Sequence, residues 1–169
     1  MTTEQIAEFD ANKEADYRRL VEADFPAMDG ARSLIANLHE AGFAMAAGSS
    51  GPPENVELAL NQLGQRALFE VVVTGVDVVR GKPDPQVFQL CAAGLHVAPR
   101  DCAVIEDAPV GITAANRAGM TSIALVSAGH RRDQFAEAKH VVDRLSELSA
   151  AGIRGWIDAA GEKRLEAGG

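Results

Sequence analysis

Three short stretches of the sequence collect polar and charged residues that core packing does not require. They are Gly48-Ser49-Ser50-Gly51, Gly81-Lys82-Pro83-Asp84-Pro85 and Glu106-Asp107. Hydroxyl groups can donate to an anionic oxygen, an ammonium group on a stiff loop suits a phosphate, and paired carboxylates suit a hard cation such as Mg²⁺. The residue types therefore favour chemistry on an anionic, phosphate-like group.

Each stretch also has an ordinary structural interpretation. Serine and glycine are frequent in strand-to-helix turns, and for Ser49 and Ser50 alone that interpretation is the stronger. Lys82 is equally typical of a solvated lysine in a loop that leads into a Pro-initiated helix. For the acidic pair, the alternative is that Asp107 caps a helix and Glu106 is solvated. Against this, adjacent carboxylates after a buried strand repel each other and lose hydration, which a bound Mg²⁺ would relieve.

Other residue types offer weaker candidates. The sequence has no Walker loop, no Gly-x-Gly-x-x-Gly and no nucleophile-elbow pattern around Ser49. Cys91 and Cys102 lie in apolar patterns rather than in a disulfide framework, which indicates a reducing cytoplasm. The histidines show no metal-ligand spacing. They are His39, His96, His130 and His140.

Length and composition exclude several classes of protein. With 169 residues, 47% of them hydrophobic, the chain is long enough for one domain with a buried core and is not a disordered chain. No apolar run approaches the roughly 18 residues of a membrane span, and the polar N-terminus does not resemble a signal peptide. A net charge of −8 without a basic stripe disfavours nucleic-acid binding. The expected partner is a small molecule, and the expected state is a monomer or a weak homo-oligomer.

Short apolar runs alternate with amphipathic segments, a pattern that predicts an α/β fold with a parallel sheet. Helices are predicted over residues 3–24, after the candidate cap Asp29, and from Pro53, Pro85 and Pro109. Shorter helices are predicted near residues 133–138 and 145–150. The predicted strands are residues 43–47, 71–73, 102–105, 121–126 and 140–142. All three polar stretches follow a strand, so they are predicted to share the carboxyl edge of the sheet, where ligands bind in open parallel sheets.

Two longer segments resemble a known superfamily. GKPDPQVF and VIEDAPVGITAANRAGM look like the third and fourth motifs of the haloacid dehalogenase superfamily, in its β-phosphoglucomutase/phosphoglycolate phosphatase-like branch. AGFAMAAGSS resembles the second motif, and FEVVVTGVDVVRGKP is similar to the approach to the motif lysine. The resemblance runs from about residue 10 to about residue 148 and implies a Rossmann-like core, flanked by helices, with a remnant of a helical cap at the N-terminus.

The resemblance implies a role for each candidate residue. Ser49, with Ser50 beside it, would hydrogen-bond the phosphoryl group, and Lys82 would neutralise charge on that group and on the nucleophile. Asp107 would hold Mg²⁺, with Glu106 assisting directly or through water. The implied activity is phosphatase or phosphomutase chemistry on a small phosphorylated metabolite such as a sugar phosphate, in which positioning and electrostatics dominate.

The sequence departs from the family pattern at its start. The first family motif, Asp-x-Asp-Gly-Thr, carries the nucleophile and the general acid/base, and it is missing from this sequence. Met28-Asp29-Gly30 is only superficially similar, because no apolar strand precedes it. Residues 1–28 instead resemble the last helix of the cap, and residues 29–150 the core. Residues 151–169 are predicted to form a C-terminal tail, whose last nine residues, GEKRLEAGG, fray. In this family the cap determines which substrate is bound, so the sequence does not identify the substrate.

Three functions follow from these observations. The first is a Mg²⁺-dependent phosphatase or phosphomutase whose nucleophile motif is missing from this chain. The second is a non-catalytic module that retains the phosphate and metal pocket. The third, a receiver-type domain, is remote, because its acidic pair would stand early in the chain.

The sequence also sets three structural expectations. Ser49, Lys82, Glu106 and Asp107 should place their functional atoms within about 10 Å of a common centre. Burial and mutual repulsion should raise the pKa values of the two carboxylates, with Lys82 opposing the shift. The first-motif strand of the family would lie between the strands at 43–47 and 102–105. Without it, those two strands either pair directly or leave an open gap.

Overall fold

The computed structural model of the chain describes residues 2–127 and 129–167. The side chains of residues 3, 4, 6–8, 10, 11 and 163–167 lie outside the described part. The helices are α1 (Thr3–Ala23), α2 (Ala31–Glu40), α3 (Pro53–Leu63), α4 (Gln86–Gly94), α5 (Pro109–Arg117) and α6 (Ala150–Ala167). The strands are β1 (Ala46–Gly48), β2 (Val71–Val73), β3 (Ala103–Glu106), β4 (Thr121–Leu125) and β5 (His140–Val142). The predicted α/β class is confirmed.

All strand pairs in the described part are parallel, as the alternation of strands and helices requires. β1 pairs with β2, with Ala46 opposite Val71. β4 lies between β3 and β5, with Glu106 opposite Ala124 at the carboxyl end of β3. Two of the three polar stretches therefore begin at the carboxyl end of a strand, at Gly48 and Glu106, whereas a loop separates Gly81 from Val73, the last residue of β2.

β1 and β3 are not paired with each other, so the described strands form two sheets instead of one. The sequence left two outcomes open at this position, and the structure has the open gap. Each of the two strands has a partner on one side only. Such a strand presents backbone N–H and C=O groups without a ladder partner along its other side.

One hydrophobic cluster joins the two sheets. Val73 of β2 and Val104 of β3 both belong to it, together with buried residues of α4 and α5 such as Phe88 and Ala115. A second cluster covers β4 and β5 with side chains of α2 and α6, including Leu34 and Ile153. Helices on both faces thus hold the two sheets to a common core, which fixes where their carboxyl ends lie.

Several predicted boundaries are wrong by one to three residues. The strand predicted over 43–47 becomes β1 at 46–48, because a strand is defined by its pairing and only these residues lie opposite β2. Asp29 does not cap α2. Gly30, in a left-handed conformation with φ +83°, is the N-cap, and no side chain caps this helix. α4 begins one residue after Pro85, although the Asp84 carboxylate does accept the Gln86 N–H at 3.0 Å.

The C-terminal part of the chain also differs from expectation. The helices predicted near 133–138 and 145–150 are short 3₁₀ turns at 132–135 and 145–147. The segment predicted to fray, residues 161–169, is helical through Ala167, and residues 168 and 169 lie outside the described part. Ile153 explains the helix, because it is 3% exposed and packs into the cluster over β4 and β5. No helix in the described ranges is both long and apolar enough to cross a membrane.

Candidate functional site

Ser49 lies directly after β1, in the turn that leads to α3. Its backbone N–H donates to the carbonyl of Val73 at 2.9 Å, which continues the pairing with β2. Its Oγ accepts the N–H of Gly51 at 3.0 Å. A hydroxyl that accepts one hydrogen bond still has its own hydrogen to donate. Ser49 therefore performs the turn chemistry of the ordinary interpretation and can also donate to an anionic oxygen.

A second turn, at residues 74–77, packs against the turn that contains Ser49 and Ser50. The sequence analysis did not single out this second turn. A Cβ added at Gly75 would lie 2.5 Å from the backbone oxygen of Ser50, so only glycine fits there. The N–H and hydroxyl of Thr74 donate to the Asp77 carboxylate at 2.7 and 2.8 Å, and these bonds lower the pKa of Asp77. The local signal, Thr-Gly-x-Asp directly after a strand, was present in the sequence.

The loop that carries Lys82 is braced on both sides of that residue. Arg80 forms an ion pair with Asp84 at 2.6 Å. Oε1 of Gln86 accepts the backbone N–H groups of residues 79 and 80, each at 3.0 Å. Lys82 itself is followed by a cis peptide bond to Pro83. The position of the ammonium group therefore depends on the whole loop.

Lys82 and Glu106 form a buried ion pair across the site. Lys82 Nζ lies 3.0 Å from Glu106 Oε1, and the two side chains are only 10% and 15% exposed. The ammonium group also lies 4.9 Å from the centre of the Phe88 ring. The alternatives in which Lys82 and Glu106 are solvated are therefore excluded. This contact also places Lys82 at the same sheet edge as the acidic pair.

Burial raises the pKa of Glu106 above its usual range. The charge and hydrogen bond of Lys82 oppose this shift, and the neighbouring Asp107 adds to it. The direction and the causes are those that the sequence predicts for this residue. Lys82 is thus the group that favours the charged form of the Glu106 carboxylate against the effect of burial.

Asp107 is exposed and accepts a hydrogen bond from Ser127 Oγ at 3.2 Å. It does not cap α5, whose N-cap is Ala108 and which has no side-chain cap. Within the described residues, no group of three or more His, Cys, Asp or Glu side chains comes together as a metal site. Two adjacent carboxylates nevertheless fit Mg²⁺, which commonly takes one or two protein carboxylates and completes its shell with water and substrate phosphate oxygens.

Gly111 of α5 leaves the space that the Glu106 side chain occupies. A Cβ at this position would lie 1.9 Å from Glu106 Oε1, and the sequence analysis did not single out this residue. We expect Gly111→Ala to displace the carboxylate from Lys82 and to lower the free energy of unfolding by about 2 kcal/mol, as overpacking does. Urea denaturation measures this change.

Gly155→Ala is the matched control for Gly111→Ala. Gly155 lies in α6 with no atom within 4 Å of an added Cβ. Alanine there should stabilise the chain by up to about 1 kcal/mol through its helix propensity. Equal effects of the two substitutions would show that the space at Gly111 is not specific to Glu106.

The structure therefore brings Lys82 to the acidic pair, as the sequence predicts. Lys82 contacts Glu106, and Asp107 follows it directly. Ser49 lies at the carboxyl end of the neighbouring sheet, and its separation from Lys82 stays a prediction. The arrangement shown by the structure is an α/β fold in which an ammonium group pairs with one of two adjacent carboxylates that follow β3.

Comparison with known proteins gives the family. Residues 2–119 match the family model described as haloacid dehalogenase-like hydrolase. The chain therefore belongs to the haloacid dehalogenase-like hydrolase family.

Individual relatives agree with this assignment. The chain is 38% identical over 128 residues to validoxylamine A 7'-phosphate phosphatase of Streptomyces hygroscopicus subsp. limoneus, a match that covers 74% of this chain and 60% of that protein. It is 31% identical over 137 residues to hexitol phosphatase B of Escherichia coli K12, covering 80% of this chain and 62% of that protein. The chain thus spans about three fifths of the length of these two relatives.

Solved structures show the same fold. The crystal structure of β-phosphoglucomutase from Clostridium difficile superposes with a TM-score of 0.82 at 25% identity, covering 94% of this chain and 70% of that one. The Rossmann-like core expected from the sequence is confirmed.

Proposed function

We propose that this chain is the phosphoryl-binding core of a Mg²⁺-dependent phosphatase or phosphomutase that acts on a small phosphorylated metabolite such as a sugar phosphate. The observation that carries the proposal is the buried Lys82–Glu106 pair, which sets an ammonium group at the carboxyl edge of the strands. The two curated relatives described above are phosphatases by name, which supports the same reaction class.

Each candidate residue has a role in the proposed site. Ser49 donates its hydroxyl hydrogen to a phosphoryl oxygen, since its Oγ already accepts from Gly51. Ser50 follows it on the exposed side of the same turn. Lys82 neutralises negative charge on the phosphoryl group. Glu106 and Asp107 would hold Mg²⁺, which when bound supplies further positive charge for the phosphoryl oxygens. Residues 1–28 are proposed as part of the cap and residues 29–150 as the core.

The alternative is a module that binds phosphate or metal without turnover. It is favoured by one observation, the missing Asp-x-Asp-Gly-Thr motif in residues 1–169. Phosphoryl transfer through an aspartyl-phosphate needs that nucleophile, and Lys82 already pairs with Glu106. For the chain of 169 residues itself, we therefore expect binding without release of phosphate.

Calorimetry of the 169-residue chain with inorganic phosphate, with and without Mg²⁺, tests the binding site. We expect Lys82→Met to weaken phosphate binding at least tenfold, because a charge-assisted contact to phosphate is lost. Arg100→Met is the matched control, since Arg100 is exposed and pairs with Asp101 only at 3.8 Å. Equal affinity in the unaltered chain and in Lys82→Met would refute the assignment.

A turnover assay separates the two candidate functions. We expect no phosphate release from a generic phosphomonoester by the purified chain, even with Mg²⁺ saturating. Release that disappears in Asp107→Ala would show that the chain is a working enzyme. The prediction of a missing nucleophile would then be wrong.

A further inference from the structure

A groove lies between α1 and α3 and reaches the turn that contains Ser49. Its walls include Lys13, Glu14 and Tyr17 of α1 and Asn55 of α3, and Ser49 also lines it. Its volume of about 380 Å³ falls within the ~300–1,000 Å³ typical of small-ligand pockets. Because Ser49 lines the groove, a molecule whose phosphoryl group binds this serine would extend its remaining atoms between the two helices.

Glu14 is held in place at the groove by a buried asparagine. Asn55 is 8% exposed, and its amide nitrogen donates to Glu14 Oε2 while its Oδ1 accepts from Arg18 at 3.0 Å. The other carboxylate oxygen of Glu14 lies 3.3 Å from Lys13 Nζ. An anchored carboxylate has accepting lone pairs left over and loses little conformational entropy when it binds a hydroxyl group.

We propose that Glu14 and Tyr17 recognise hydroxyl groups on the alcohol part of a phosphate monoester, so that the groove selects a polyhydroxylated alcohol phosphate. This inference rests on the proposed phosphate site at Ser49 and Lys82. A carboxylate at the wall of the groove accepts hydroxyl hydrogens. The Tyr17 side chain adds a phenol that both donates and accepts. The groove therefore favours a hydroxyl-rich alcohol over an alcohol with no further hydroxyl groups.

The test compares the affinity of the 169-residue chain for a hexitol 6-phosphate and for methyl phosphate by calorimetry. Both probes carry the phosphoryl group, and only the first reaches the groove. We expect the hexitol phosphate to bind about tenfold more tightly, and Glu14→Ala to abolish most of this ratio while leaving methyl phosphate binding unchanged. Glu14→Gln, which retains an accepting oxygen, should restore part of it. Asp16→Ala is the control, because Asp16 is exposed on the same helix and pairs with Arg19.

Tyr17→Phe provides a second variant that keeps the Asn55 hydrogen bonds intact, in case Glu14→Ala disturbs the contact between α1 and α3. It should lower the ratio about threefold. Equal affinities for the two probes in the unaltered chain would overturn the groove assignment and leave the phosphate site standing. Failure of both probes to bind would overturn the proposed function and the groove together.

Discussion

Lys82→Met should destabilise the chain by about 3 kcal/mol at pH 7. The substitution leaves the Glu106 carboxylate buried without its cation, and breaking a buried pair on one side typically costs ~3–5 kcal/mol. We take the lower end because the two side chains retain 10% and 15% exposure. Urea denaturation gives the free energy of unfolding. Arg100→Met should change it little, since exposed pairs contribute little.

The double variant Lys82→Met/Glu106→Gln shows whether the cost comes from the pair itself. Glutamine removes the unpaired charge at nearly constant volume, so the double variant should be more stable than Lys82→Met alone. We expect a coupling energy of about 2 kcal/mol between the two sites. Strictly additive effects would show that Lys82 stabilises the fold by packing against Phe88 and not through its charge.

The loss of stability caused by Lys82→Met should be smaller at acidic pH than at pH 7. Burial already raises the pKa of Glu106, and Lys82 is the group that opposes this shift. Without Lys82 the folded-state pKa rises further above the unfolded value of about 4.3. The folded state then binds a proton more readily than the unfolded state, so stability is lost as the pH rises from the unfolded pKa through the folded pKa. Denaturation at pH 5 and pH 7 measures this, and a deficit that is equal at both values would contradict it.

The sequence predicts the elements well where a local signal sets their ends. Pro53 and Pro109 begin their helices as predicted, and the strand bounds 71–73 and 140–142 agree with the structure. Prediction fails where a distant partner decides. β1 is short because only three of its residues lie opposite β2, and α6 continues because Ile153 reaches the core. Neither contact leaves a local pattern in the sequence.

The candidate site, too, was predictable where a local signal exists and not where a contact between distant segments decides. The order of the polar stretches after successive strands predicts a shared edge, which the Lys82–Glu106 contact confirms for two of the three. Gly75 and Gly111 were missed because a glycine that makes room for another segment resembles any other glycine until the fold is known. The groove was missed for a similar reason, since its walls come from helices separated by about thirty residues.

The open gap between the two sheets should make the chain self-associate. Successive residues of a parallel strand direct their backbone groups to opposite sides. The carbonyl of Cys102 accepts from the N–H of Thr121 on β4, so the next residue, Ala103, directs its N–H and C=O away from β4. On the other side of the gap, Met45 and Ser49 bond toward β2, which directs the groups of Ala46 and Gly48 away from that strand. Unpaired strand edges of this kind are templates for another strand.

We therefore expect the apparent molecular mass of the 169-residue chain to rise with concentration in sedimentation velocity experiments, as for a weak homo-oligomer. Ala103→Pro should weaken this association about tenfold, because it removes an N–H from the open edge, while the first residue of a strand tolerates proline. Ala103→Val is the matched control, since it keeps the N–H and a strand-forming side chain. A chain that stays monomeric over a hundredfold range of concentration would show that the edges of β1 and β3 are closed to a further strand. Equal association of the two variants would place the contact elsewhere on the surface. Weakening in Ala103→Pro alone would identify the gap as the position where an additional strand completes the sheet.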